Sequence, residues 1–325
     1  MADWSTLTIL FVALLLDRFV GDPDWLWRHV PHPVVLFGKA IGWADKRFND
    51  VTRADITREK YGFATIAVLV IVSVVVGWLL SALFAAAGTI GTLTEIVLVA
   101  VFLAQKSLAQ HVAAVANGLR SDGLAGGRRA VAMIVGRDPD SLDNAGICRA
   151  AIESLAENAS DGVVAPAFWY AVFGLPGLLA YKMINTADSM IGHMTPRYQA
   201  FGRASARLDD WANWVPARVT AGLIALVGLL PTTRRSAIDI AEIVLEDAQL
   251  HRSPNAGWPE SAMAATLNIS LGGPRFYADD VADEPFMNDA GRKQVAAIDI
   301  DKAISIFWWA MSFGTALVAL LAVIF

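Results

Sequence analysis

The chain is short of charge and of cysteine. Only 18% of its 325 residues are Asp, Glu, Lys or Arg, against 55% hydrophobic, and the mean hydropathy is +0.47. A water-soluble domain carries about a quarter charged residues, so an ordinary soluble fold is excluded and an all-α, polytopic helical membrane protein is expected. The single cysteine, Cys148, rules out an internal disulfide and a Cys-based zinc site. Neither HExxH nor GxGxxG occurs. Gly38-Lys39 lacks the glycine five residues ahead that a Walker A loop needs, so any nucleotide site has to be non-standard. A net charge of −5, with the basic residues scattered over several loops, argues against nucleic acid as a partner and against a polybasic lipid-binding arm. The MADW start has no basic region, and the apolar run after it leads into Asp17 and Arg18, so no cleaved signal peptide is expected.

What the chain does have is apolar length. About 20 mostly apolar residues cross a bilayer. Spans are expected near 4–20, 63–87, 92–104, 211–230 and 303–325, with a broken one over 163–180, where Pro166, Gly174, Pro176 and Gly177 interrupt the helix. Together they make one membrane-embedded catalytic domain over 1–325. The segments richest in Lys and Arg, 18–60, 105–162 and 232–302, are assigned to the cytoplasm. Amphipathic helices are expected within these loops. One covers 105–120, with Leu108, Val112, Val115 and Leu119 at helical spacing, one runs from Ser141 or Asp143 to Ser160, and one covers 234–250. Residues 252–262 and 270–276, rich in Pro, Gly and Asn, read as ordered turns, and Pro31 and Pro33 set His29 and His32 in a turn unsuited to metal ligation.

Two polar groupings stand out. Glu153, Glu157 and Asp161 recur every four residues and advance by about 40° per step on a helix, so they share a face. A solvated acidic face would explain that spacing equally well. The stripe ends two residues before the apolar run at Val163, however, where unpaired charge grows costly and a cation is the natural partner. Magnesium suits one or two carboxylates plus phosphate oxygens, and Asn158 and Ser160 add hard ligands. The second grouping is YKMINTADSMIGHMTPRY, 181–198. Lys182, Asn185 and Asp188 line one side of a helix there, with Lys182 able to meet phosphate or simply to snorkel from a helix end. Arg203 and Arg207 form either an anion clamp or, with Asp209 and Asp210, an ordinary ion-pair lattice.

Four stretches together resemble the CobD/CbiB family, the adenosylcobinamide-phosphate synthases of cobalamin biosynthesis. They are LLLDRFVGDPDWLWRHVPHPVVLFGKAI (14–41), ESLAENASDGVVAPAFWYAVFGLPGLLAYKMINTADSMIGH (153–193), ARLDDWANWVPARVTA (206–221) and RSPNAGWPESAMAATLNISLGGPRFY (252–277). The similarity runs in order from about residue 10 to 310. It implies a bacterial inner-membrane enzyme that joins adenosylcobyric acid to aminopropanol or its phosphate through an amide bond. ATP is then a substrate, Mg²⁺ a cofactor, and other late cobalamin-assembly enzymes are potential partners. On that basis Glu153, Glu157 and Asp161 would hold Mg²⁺, Lys182, Arg203 and Arg207 would neutralise phosphate, Asn158, Asn185 and Asp188 would orient substrate, or Asp188 would bind a second metal, and His193 or a free carboxylate of the stripe would serve as base. Two rival readings remain. NASDGVVAP (158–166) partly echoes the CDP-alcohol phosphotransferase signature, but Asn158 stands for its first acid and Pro166 for its arginine. A transporter would also use broken helices, though no inverted repeat is present.

Overall fold

The computed structural model describes residues 5–22, 27–29, 31–136, 138–231, 235–273, 275–277, 280–282 and 285–325, with 275–277 and 280–282 as backbone only. Trp25 of the tryptophan-rich loop lies outside this set. Helix α1 (Thr6–Phe19) opens on Ser5, whose hydroxyl accepts from Thr8 N–H. Its 14 residues rise about 21 Å, short of the roughly 30 Å of a hydrocarbon core. The expected span at 4–20 is therefore not among the helices long and apolar enough to cross. Helix α2 (Pro33–Phe48) follows the PHP turn, α3 (Asp55–Ala86) is a 32-residue apolar helix, and α4 (Gly88–Phe102) continues from it. Next comes α5 (Gln105–Val131), which carries the expected amphipathic pattern, burying Leu108, Val112 and Val115.

Helix α6 (Asn144–Ala159) starts where Asp143 accepts from Gly146 N–H at 2.6 Å. A π-helical turn, Ser160–Val164, leads into α7 (Ala165–Ile191). The expected break in α7 falls at Gly174 (φ 62°, ψ −151°), two residues ahead of Pro176. Helix α8 (Arg203–Leu226) is followed by α9 (Ala237–Asp247), which is opened by a reciprocal Ser236–Asp239 capping box. Helix α10 (Gly257–Leu267) ends on Asn268 in the left-handed region. Its first turn contains Trp258 and Pro259, so part of the segment expected to be turns is helical, because proline is tolerated in the first turn, where no intrahelical N–H partner is lost. Short strands β1 (Leu271–Gly272), β2 (Arg275–Tyr277), β3 (Asp280–Ala282) and β4 (Phe286–Met287) form two antiparallel pairs, β1 with β4 and β2 with β3. Helix α11 (Ala297–Ile324) closes the chain.

Among the described residues five helical stretches are long and apolar enough to cross a membrane, 55–86, 88–131, 144–191, 203–229 and 297–324. The expected runs at 92–104 and 163–180 are parts of longer helices. The structure divides into two compact units. One comprises 1–104, 165–213 and 318–325, and the other 105–164 and 214–317.

In the first unit, α3 packs along α7. Gly77 permits the close approach, since a Cβ there would stand 2.6 Å from Pro176 Cα. The core gathers Ile41, Ile66, Met183, Ala187, Ile191 and Phe201, while Val68, Ile71, Val75, Trp78, Leu79 and Leu83 of α3 face outward. In a chain of this hydropathy that surface is met by lipid. The loop after α7 is tied down by buried Arg58. Its Nε donates to Asn49 Oδ1 at 3.1 Å, it also donates to the Arg197 carbonyl, and Arg197 pairs with Asp45 at 2.7 Å. In the second unit α5 packs on α6 and α9 on α10. Helix α6 is enclosed along most of its length by virtue of small side chains, including Ala145, Gly146, Ala150, Ala151 and Ala156.

Candidate active site

The acidic stripe lies in the second unit, and its three members sit in three environments. Glu153 is 3% exposed, and its Oε1 accepts from Gly272 N–H at 2.8 Å, which ties α6 to β1. Glu157 and Asn158 are exposed, and Asp161 is partly buried on the π turn. The extra residue of a π turn shifts the side chains after it off the α-helical stripe, and such turns occur often at functional sites. Asn158 Nδ2 donates to the Ser154 carbonyl at 2.9 Å. Among the described residues no group of three or more His, Cys, Asp or Glu side chains is placed to hold a metal ion. A cage built from protein alone is therefore not formed by Glu153, Glu157 and Asp161. The hard oxygens of exposed Glu157 and Asn158 and of half-buried Asp161 do fit Mg²⁺ held by one or two carboxylates with phosphate completing the shell.

The second grouping lies in the first unit, where α7 and the start of α8 build a polar network. Asp209 is 8% exposed and accepts from Asn213 Nδ2 at 2.9 Å and, in a longer contact, from Asn185 Nδ2 at 3.4 Å. Tyr181 Oη, itself buried, donates to Asn213 Oδ1 at 2.9 Å. Asp188 and Asp210 lie within electrostatic reach of Asp209, and His193, exposed at the end of α7, lies within reach of Asp188. Like charges gathered away from water are costly unless a cation joins them. Gly192 fits beneath this corner, because a Cβ there would stand 1.9 Å from Asp188 Oδ1.

Lys182 faces a different pair, Asp22 and His32. His32 caps α2. Val34 N–H donates to its Nδ1 at 3.2 Å, so Nε2 carries the proton given to the Val101 carbonyl at 3.3 Å. Both ring nitrogens are thus engaged, in keeping with the expected turn. Burial holds the imidazole below its ordinary range, with Asp22 opposing. Burial likewise pushes the Asp22 carboxyl above the usual carboxylate range, with His32 pulling it back.

Arg203 and Arg207 line one cavity of about 600 Å³ whose other walls are mostly apolar, including Phe63, Ile66, Val70 and Trp211. Arg203 also reaches Glu59 at 3.3 Å. The ion-pair lattice weighed for Asp209 does not form, because Asp209 turns inward to the two asparagines. Spacing alone did not single out Tyr181, Asn213, Asp22 or His32 for this role. Asn213 falls four residues after Asp209, a signal that was present, whereas the pairing of Asn185 with Asp209 spans 24 residues and leaves no local trace.

Comparison with known proteins is consistent across the chain. The family described as CobD/Cbib protein matches residues 10–307. A cobalamin biosynthesis protein CobD of Brucella suis is 54% identical over 312 residues, covering 96% of this chain and 95% of its own length. Its counterpart in a Sinorhizobium species is 57% identical over 320 residues, covering 98% and 99%. One in Rhodobacter capsulatus is 45% identical over 316 residues, covering 97% of each. No solved structure matches the chain. With a family match over residues 10–307 and relatives of such identity along nearly their whole length, the chain belongs to the CobD/Cbib family.

Proposed function

We infer that the protein is a cobalamin-biosynthesis enzyme of the bacterial inner membrane. In this reading it converts adenosylcobyric acid to adenosylcobinamide or its phosphate by ATP-dependent amide formation with aminopropanol or aminopropanol phosphate. The observation that carries this reading is the family match over residues 10–307, joined to relatives whose names place them in cobalamin biosynthesis.

The chemistry asks for three things that the polar residues are suited to supply. A carboxylate is a poor acyl donor, so its oxygen takes the γ-phosphoryl group of ATP and ADP leaves. The amine nitrogen then attacks the acyl carbon, and inorganic phosphate departs with the C–O bond. Phosphoryl transfer depends chiefly on positioning and charge neutralisation. Glu157, Asp161 and the amide oxygen of Asn158 would hold Mg²⁺, which when bound neutralises phosphate charge. Glu153, buried against Gly272 N–H, serves to fix the helix that presents them. Lys182, Arg203 and Arg207 would meet phosphate oxygens, and Asn185 with Asp188 would orient substrate. His193, exposed and within electrostatic reach of Asp188, is suited to take the amine proton.

The test is direct. Purified protein is incubated with ATP, adenosylcobyric acid and aminopropanol phosphate, and ATP consumption is followed beside the corrinoid product. Stoichiometric ATP use with a new amide is expected. ATP-independent transfer of a phosphoalcohol, or corrinoid uptake into vesicles without chemistry, would replace the reading with a phosphotransferase or a transporter.

A further inference from the structure

The RSPNAGWPESA segment, singled out for its turn chemistry, has no part in the roles above, yet it walls a separate cavity of about 470 Å³ in the second unit. The lining is cationic and polar, with Arg218, Arg252, His251 and Gln249 beside Trp258. Arg218 comes from α8, within a stretch apolar enough to span a membrane. A charged side chain there is costly, and such residues most often mark a ligand path or site. Its surroundings hold it in place without neutralising it. The guanidinium lies 4.2 Å from the ring centre of Trp214 and 4.3 Å from that of Trp258. It donates to the Trp214 carbonyl at 2.7 Å and, at 3.4 Å, to Asn255 Oδ1.

Among the described residues no carboxylate lies within ion-pairing distance of Arg218. Glu260, a buried acid, reaches His251 of this wall, with Oε1 3.9 Å from Nε2. An arginine stacked between two indoles keeps its planar fork of donors in one orientation, the arrangement suited to a tetrahedral oxyanion. Arg252 is exposed at the same cavity and adds a second cation.

We propose that the cavity formed by Arg218, Arg252, Gln249 and His251 beside Trp258 is a phosphate-binding site for a small soluble molecule, either a phosphate monoester or a polyphosphate. The site rests on its own geometry, and its assignment to a phosphate-bearing substrate of this enzyme rests on the functional reading above.

Isothermal titration of the full-length protein in detergent tests it, with phosphoethanolamine as the monoester and inorganic pyrophosphate as the polyphosphate. A third arm compares nanodiscs of phosphatidylglycerol with nanodiscs of phosphatidylcholine. Saturable binding of at least one soluble probe is expected, and whichever binds identifies the source. That affinity should fall about ten-fold or more in Arg252→Gln and in Arg218→Lys, and stay at the parent value in Arg129→Gln. Arg252 is exposed, so its variant keeps the test valid even where substitution of Arg218 disturbs the fold. Unchanged affinity in Arg252→Gln and Arg218→Lys, absence of binding by both soluble probes, or a response to phosphatidylglycerol alone overturns the proposal. Amide formation on the same preparations separates the two claims. Binding through Arg252 without amide formation keeps the site and removes the functional reading. Amide formation with Arg252→Gln unimpaired in both assays removes the site and keeps that reading.

Discussion

The two acidic groupings invite comparison. On α6 and the π turn, Glu153, Glu157 and Asp161 follow one another along a single segment, yet they end up in three environments, buried, exposed and half-buried. On α7 and α8, Asp188 and Asp209 are distant in sequence, yet Asp209 is drawn into a hydrogen-bonded corner with Asn185, Asn213 and Tyr181. Periodicity along one helix says which side chains share a face. It does not say what covers that face, which is decided by the segment packed on it. The comparison separates a stripe that opens to solvent at Glu157 from the enclosed, hydrogen-bonded Asp209 network.

The strongest way to break that division is through Asp161 and Glu157. Asp161→Ala and Glu157→Ala are each expected to lower amide formation by about 100-fold or more, with expression and thermal midpoint held, because electrostatic groups at the reacting centre contribute on that scale. Full activity in either variant removes that residue from the mechanism. A smaller effect is expected from Asn213→Ala, which strips Asp209 and Tyr181 of a buried partner and should cost about 2 kcal/mol in denaturant unfolding. A variant as stable as the parent would show that the network carries no structural load.

Gly192→Ala sharpens the same comparison from the other side. The added Cβ meets Asp188 Oδ1 at 1.9 Å and the Asp188 carbonyl oxygen at 2.7 Å, so a displaced carboxylate with an activity loss of about ten-fold is expected, together with a smaller loss of midpoint from the backbone shift. Equal losses of stability and activity would assign Gly192 to the fold instead.

The smallest effect concerns His32. His32→Ala removes the α2 cap and should cost about 1 kcal/mol. Because the folded protein holds this imidazole below its ordinary value of 6.5, the unfolded chain binds the proton more readily. The contribution is thus present above pH 6.5 and is lost as pH falls through the lower folded value. Unfolding midpoints measured from pH 8 to pH 5 should converge for parent and variant at the acid end.

Much of the architecture was legible locally. An Asp143 cap ahead of an apolar-patterned segment placed α6 within a residue or so of its observed bounds. The expected helix at 234–250 contains α9, and Gly174 with Pro176 located the break in α7. Short-range chemistry decides these features, so a short window contains them. The N-terminal run was misleading because its hydropathy suits a span while its helix is only 14 residues long. Trp258-Pro259 read as a turn because proline carries the same signal at a loop and at a helix start. The site was legible by halves. Glu157, Asp161, Asn185 and Asp188 came from spacing, but the hold of Asn185 on Asp209 and of the Val101 carbonyl on the His32 ring span 24 and 69 residues.

Helix α3 carries one further consequence. Its first turns carry Asp55, Arg58, Glu59 and Lys60, and the uncharged stretch from Tyr61 to Ala86 extends about 39 Å, several ångströms past a hydrocarbon layer of about 30 Å. Such an excess is relieved by leaning or by a local swelling of the surrounding lipid, each at a modest cost per ångström. The catalytic rate should then depend on acyl-chain length, rising in thicker reconstituted bilayers and declining in thin ones, with membrane composition acting as a regulator of the enzyme.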